Sequence, residues 1–114
     1  IERSGQWMKG KGLPTFGPIG PWMVTPDEAG DINNLKMWLK VNGDYVQNGS
    51  SKTMIFQCNF LVHYISQFMQ LDTGDVTPPG VGLGFKPPRF LKAGDVMEVG
   101  IENLGVQHQH VKQG

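Results

Sequence analysis

Leu35-Lys36-Met37-Trp38-Leu39-Lys40-Val41-Asn42-Gly43-Asp44-Tyr45-Val46-Gln47-Asn48 decides the architecture of this 114-residue chain. Two strand-like runs flank Asn42-Gly43, and both central positions of a type I′ turn need φ > 0, which Asn and Gly tolerate best. The stretch therefore predicts a β-hairpin. Downstream, Phe60, Leu61, Tyr64, Ile65, Phe68 and Met69 recur at helical spacing. They predict one helix over residues 58–70, ending before Asp72-Thr73-Gly74-Asp75, with its apolar stripe lying across a sheet face. Asp95 to Ile101 alternates as a strand, Asn103-Leu104-Gly105 turns, and Val106 to Val111 returns as its partner.

Upstream, Pro18 to Thr25 suggests a short strand confined by its prolines to an edge or a strand end. Residues 1–17 read as mostly irregular, and Thr25-Pro26-Asp27-Glu28-Ala29-Gly30-Asp31 reads as a turn or a single helical turn. A short echo joins Leu71-Asp72-Thr73-Gly74-Asp75-Val76 to Leu91-Lys92-Ala93-Gly94-Asp95-Val96. Both look like a turn feeding a strand, and the echo is too short to be a repeat. The chain thus reads as a mainly β unit of one domain.

Composition narrows the function. Lys+Arg and Asp+Glu both number 10, so no basic stripe argues for nucleic acid and no polybasic run for a membrane surface. Apolar runs are too short to span a bilayer. The single cysteine, Cys58, allows no internal disulfide and fits a reducing compartment, so a cytoplasmic location is expected. Of sixteen glycines and eight prolines, six and five fall in two stiff loops, Lys11-Gly12-Leu13-Pro14-Thr15-Phe16-Gly17-Pro18-Ile19-Gly20-Pro21-Trp22 and Thr77-Pro78-Pro79-Gly80-Val81-Gly82-Leu83-Gly84.

Most chemistry-bearing residues have a plain reading. From composition alone Lys11 is a solvated loop lysine, although in a dry pocket it would neutralise a carboxylate or a developing enolate. Thr77 reads as a turn cap or as a hydroxyl donor to a substrate carboxylate. Gly80 to Gly84 lacks GxGxxG spacing and a strand-to-helix setting, which excludes a nucleotide loop. His108 and His110 share one strand face with no third ligand nearby, and read as a solvated edge. His63 reads as a boundary residue of the helix and Cys58 as a buried or capping one. The ten carboxylates are scattered, with no compact pair for a Mg²⁺ ion.

Beyond these residue-level readings, Gln6-Trp7-Met8-Lys9-Gly10-Lys11-Gly12 with its continuation to Trp22 resembles the fumarylacetoacetate hydrolase family. So do Met54-Ile55-Phe56, Ser66-Gln67-Phe68-Met69, Gly74-Asp75-Val76, Thr77-Pro78-Pro79-Gly80-Val81-Gly82 and the run from Lys86 to Val96. Gly100-Ile101-Glu102-Asn103-Leu104-Gly105 fits as well. Within the family the chain looks most like the bacterial branch holding the 2,4-diketo-3-deoxy-sugar-acid hydrolases and proteins labelled ureidoglycolate lyase. The resemblance implies a mixed β-roll with one helix packed on the sheet. It implies a divalent metal, usually Mg²⁺, with Mn²⁺ or Ca²⁺ as alternatives, and a 2-oxo or 2,4-dioxo acid substrate.

It further implies a hydrolase that breaks a C–C bond through a metal-stabilised enolate, and a homodimer. Alternatives are decarboxylation, tautomerisation or isomerisation of an oxo acid, or a non-catalytic β module. On this resemblance Lys11 matches the active-site lysine beside the metal, Thr15 the threonine near the same site, and Thr77 a substrate-carboxylate donor. Arg3 and Gln6 fall where the family lines its pocket. Family members are longer, so residues 1–114 are expected to be the C-terminal portion of a single catalytic domain. Ile1-Glu2-Arg3-Ser4 likewise reads as chain interior. The family's Glu-x-Glu pair, its third carboxylate and its lid would lie upstream. One further departure is that Val76 abuts Thr77, where the family usually has a few residues ending in Gly.

Overall fold

The computed structural model describes residues 5–77 and 90–113. Arg3, the loop after Thr77 and the run from Lys86 to Arg89 lie outside the described residues.

Strands β1 (Lys36–Val41) and β2 (Asp44–Ser50) form the expected hairpin around Asn42 (φ 52°) and Gly43 (φ 89°). Val41 pairs with Asp44, and the register slips by one residue between Leu39 and Lys40. Strands β3 (Val96–Ile101) and β4 (Gly105–His110) form a second hairpin, and β3 pairs antiparallel with β1. The sheet order is β2-β1-β3-β4. Asn42 ties the two hairpins together. Its Oδ1 accepts from the Val96 N–H at 2.9 Å and its Nδ2 donates to Asp95 Oδ1 at 2.9 Å. The turn residue is thus also the clamp that sets where β3 begins. At the other end Leu35 N–H donates to the buried Ser51 Oγ at 2.8 Å, and Ser51 N–H returns a bond to the Leu35 carbonyl.

The echo in the sequence is a repeated turn. Asp75 N–H bonds the Asp72 carbonyl and Asp75 Oδ2 accepts from Asp72 N–H; Asp95 and Lys92 make the same two bonds. Gly74 (φ 104°) and Gly94 (φ 94°) take the left-handed position that a type II turn requires at its third residue.

Short helices α1 (Met8–Lys11) and α2 (Pro26–Ala29) precede the sheet, the second being the expected single helical turn. The longer helix α3 spans Cys58–Ser66 and continues as hydrogen-bonded turns to Met69. The mainly β class with one longer helix therefore holds, with two corrections. Every strand pairing among the described residues is antiparallel rather than mixed. Helix α3 has no fully buried side chain: Leu61 and Ile65 are half-buried while Phe60, Tyr64, Phe68 and Met69 are exposed, so most of its apolar stripe is not covered by the sheet.

The strand expected over residues 18–25 does not form. Pro18 and Pro21 have no N–H to give to a ladder, and the segment is held by side chains instead. No described helix is long and apolar enough to cross a membrane.

Candidate functional site

Trp7 to Phe16 is a short, locally closed unit. Lys9 N–H bonds the Gln6 carbonyl, Lys11 N–H the Trp7 carbonyl, and Gly12 N–H the Met8 carbonyl at 2.8 Å. Gly12 is required here, because a Cβ would stand 2.9 Å from that same Met8 carbonyl oxygen. The single helical turn ends at Lys11, whose Nζ lies 5.2 Å from the centre of the Trp7 ring. A cation over an indole face is weakly held when exposed, so the ammonium is steadied but still free to meet an anion.

Directly beyond, Leu13-Pro14-Thr15-Phe16 closes as a β-turn through Phe16 N–H to the Leu13 carbonyl at 3.1 Å. Pro14 suits the second position of such a turn. Thr15 occupies the third at φ 71°, where glycine is the default. A β-branched residue there costs on the order of 1–3 kcal/mol, and strain of this kind concentrates at functional positions. Thr15→Gly is expected to raise stability by about 1 kcal/mol in a denaturant titration while lowering turnover at least tenfold. A Thr15→Gly protein with unchanged turnover would leave the hydroxyl without a role.

The unit is anchored to the sheet from the far end of the chain. Gln107 Nε2 donates to the Gly20 carbonyl, and Gln109 Nε2 donates to Gln107 Oε1 at 2.8 Å. The Trp22 ring lies against Gly105, where a Cβ would meet its Cζ2 at 2.9 Å. Strand β4 thus fixes the Gly/Pro segment that follows Thr15. Sequence reading did not find these anchors. Its available signal was the alternation of β4, which sets Gln107 and Gln109 on the face opposite His108 and His110.

Gln6, Lys11 and Thr15 therefore share one short exposed segment. Thr77 is exposed, two residues past the Asp72-to-Asp75 turn, and no hydrogen bond among the described residues joins it to that segment. His108 and His110 are exposed on the edge strand, as expected. His63 Nε2 stands 2.9 Å from Gln67 Nε2 on α3, and Cys58 is a half-buried free thiol.

A second charged cluster was not singled out from the sequence. Lys40 Nζ bonds Glu98 Oε1 at 2.7 Å, and Trp38 Nε1 donates to the same oxygen at 3.3 Å. The Lys40 hydrogen bond, aided by Trp38, holds the Glu98 carboxyl below the usual carboxylate range despite partial burial. The Glu98 hydrogen bond in turn raises Lys40. Each group is the other's partner, so the pair reads as a cross-strand brace. An open groove of about 500 Å³ is lined by Asp31, Lys36, Lys52, Glu102 and their neighbours, and includes none of Gln6, Lys11, Thr15 or Thr77. Among the described residues no three His, Cys, Asp or Glu side chains stand together to hold a metal ion.

Residues 1–112 match the family model described as fumarylacetoacetate (FAA) hydrolase C-terminal. The chain is 55% identical over 117 residues to a 2,4-didehydro-3-deoxy-L-rhamnonate hydrolase of Sphingomonas sp. strain SKA58, covering 98% of this chain and 41% of that protein. It matches a fumarylacetoacetate hydrolase structure from the psychrophile Exiguobacterium antarcticum at TM-score 0.86 and 38% identity, over 99% of this chain and 42% of that one. A maleylpyruvate hydrolase from Sphingobium sp. SYK-6, solved with manganese(II) and pyruvate, matches at TM-score 0.74 and 32% identity, over 88% and 37% of the two chains. The chain spans about 42% of the length of the curated relatives it matches.

Proposed function

The chain belongs to the fumarylacetoacetate hydrolase family, and from that premise we propose that it carries the lysine- and threonine-bearing loop of a hydrolase that cleaves a C–C bond in a 2,4-dioxo acid. The observation that carries the reading is the 55% identity to the Sphingomonas 2,4-didehydro-3-deoxy-L-rhamnonate hydrolase. The strained Thr15, four residues after Lys11, supports it. The substrate class proposed is a 2,4-diketo-3-deoxy sugar acid.

In this reading water adds to the C4 carbonyl and the C3–C4 bond breaks. The electron pair passes to an enolate of pyruvate, which takes a proton at C3. The water oxygen ends in the second product, a carboxylic acid. The Lys11 ammonium stands against the charge that develops on the enolate, an interaction strongest where charge grows in the transition state. Thr15 donates its hydroxyl to a substrate oxygen. Gln6 and, outside the described residues, Arg3 are assigned to substrate binding on the family resemblance, and Thr77 to a hydrogen bond with the substrate carboxylate.

A divalent cation, Mg²⁺ or its Mn²⁺ counterpart, is part of the proposal, supported by the manganese and pyruvate bound to the Sphingobium relative. The described residues do not by themselves provide a ligand set for it. On this proposal the cation's carboxylate ligands would be supplied in a family-length protein, and the 114 residues by themselves are expected to bind the cation negligibly. A cytoplasmic homodimer is proposed as the working form.

The reading is tested on a family-length protein carrying this sequence, supplied with a 2,4-dioxo acid and, separately, oxaloacetate. The expected result is pyruvate and a carboxylic acid in equal amounts from the dioxo acid, and from oxaloacetate no carbon dioxide above the metal-only background. Carbon dioxide release, or an isomerised product without pyruvate, would replace hydrolysis by one of the other reactions.

A further inference from the structure

The loop that carries Lys11 and Thr15 is shaped from within and placed from outside. The backbone hydrogen bonds given by Lys9, Gly10, Lys11, Gly12 and Phe16 all end on Gln6, Trp7, Met8 or Leu13, inside the loop itself. Bonds of that kind set its shape and leave its position on the molecule open. Five residues after Thr15, the Gly20 carbonyl accepts from Gln107 Nε2 on β4. The next two residues rest on the same strand. Pro21 Cγ and Trp22 Cζ2 would stand 3.2 Å and 2.9 Å from a Cβ at Gly105. Gly20, Pro21 and Trp22 are thus seated on β4 as one block. Pro18, lying between that block and Thr15, has its φ fixed and shortens the stretch that could absorb a shift.

The Gln107 amide is itself oriented. Gln109 Nε2 donates to Gln107 Oε1 at 2.8 Å, so that oxygen is committed as an acceptor and the Nε2 end faces Gly20. Turned over, the amide would set donor against donor at Gln109 and acceptor against acceptor at Gly20. Gln107, Gln109 and Gly20 are all half-buried, where an unmade hydrogen bond costs more than it does in water. The alternation of β4 puts both glutamines on the face opposite the exposed His108 and His110.

Given the role proposed above for the Thr15 hydroxyl, on which this rests, we infer that Gln107, oriented by Gln109, is a positioning residue for Thr15. It touches no substrate and acts through the Gly20 carbonyl. Thr15 sits at φ 71°, a conformation its own side chain disfavours. Such a residue stays in place only where its surroundings hold it there, and the seat on β4 supplies part of that hold. A misplacement of about 1 Å at a reacting group costs up to ~10²-fold in rate. The amide pair on β4 therefore bears on turnover from the far end of the chain.

The test uses a family-length protein carrying this sequence and reads pyruvate release from a 2,4-dioxo acid. Gln107→Glu keeps the size of the side chain and turns the donor into an acceptor-only oxygen. kcat is expected to fall about tenfold with KM within about twofold, because the hydroxyl is displaced mainly relative to the transition state. His110→Gln, on the opposite face of β4, should stay within about twofold of the parent. In a Thr15→Gly background the hydroxyl is already gone, so adding Gln107→Glu should cost less than about twofold more. A role confined to holding the fold together would give losses that multiply. Circular dichroism and the urea midpoint of each variant are taken first, so that kcat refers to folded protein. Should Gln107→Glu fail to fold, Gln109→Glu enters the same cycle, since it turns the Gln107 amide over and leaves Gln107 itself in place. Losses that multiply would overturn the inference. So would a fully active Gln107→Glu protein beside an impaired Thr15→Gly one, and the assignment of Thr15 would then stand. Full activity in Thr15→Gly would remove Thr15 from the chemistry, and Gln107 with it.

Discussion

Lys11→Met in the assembled enzyme is expected to lower kcat by about 10²–10³, the range found when one preorganised charge partner of a transition state is removed. Met keeps the length of the side chain and removes only the ammonium. The fold should be untouched, because the Lys11 side chain is exposed and among the described residues its ammonium makes only the weak approach to the Trp7 ring. Lys9→Met is the matched control. It alters the same helical turn, two residues away, and should leave turnover within twofold. Lys11→Arg separates charge from position: it preserves the cation over Trp7 but spreads the charge over a planar fork, so only partial activity is expected. Full activity in Lys11→Met, with Lys9→Met also active, would remove Lys11 from the chemistry.

The largest structural effect is expected at Gly100, on β3. It is buried and pairs with Trp38 on β1 and Val106 on β4. A Cβ there would fall 2.1 Å from Trp38 Cζ2 and 2.3 Å from Cε2. Those atoms belong to a rigid ring, so the indole must leave its seat and lose its bond to Glu98. Overpacking of this sort costs typically about 1–3 kcal/mol, and Gly100→Ala should reach the upper end because both sides are held by paired strands. Urea unfolding of a family-length protein carrying this sequence measures it. Trp38→Leu in the same background should recover part of the loss, since the two substitutions act on one contact. Equal, additive losses would mean that the ring is not what excludes a side chain at position 100.

The parts of the fold that depend on neighbours in sequence were legible. Asn42-Gly43 specifies the hairpin because few other residue pairs accept two consecutive left-handed positions, and the structure has them at φ 52° and 89°. The echo of Leu71 to Val76 in Leu91 to Val96 is one turn used twice. Features set by distant contacts were not legible. Pro18 to Thr25 has strand composition, but its missing N–H groups leave it to be fixed by Gln107 and Gly105, more than 80 residues away in the chain. The stripe on α3 was read correctly as apolar, and periodicity contains no information about which body covers it.

The candidate site divides the same way. Composition made Lys11 an ordinary loop lysine, and only the family resemblance raised it. The left-handed Thr15 adds a physical reason that no propensity scale supplies, because such scales disfavour the conformation rather than predict it.

The central proposal is that this chain carries the Lys11- and Thr15-bearing loop of a hydrolase acting on a 2,4-dioxo acid. Its most direct test replaces the matched stretch of the Sphingomonas hydrolase with these 114 residues and measures pyruvate release from that enzyme's own 2,4-dioxo acid. The account predicts turnover within about tenfold of the parent, abolished by Lys11→Met. A folded chimera without pyruvate release, or one whose activity survives Lys11→Met, would contradict it.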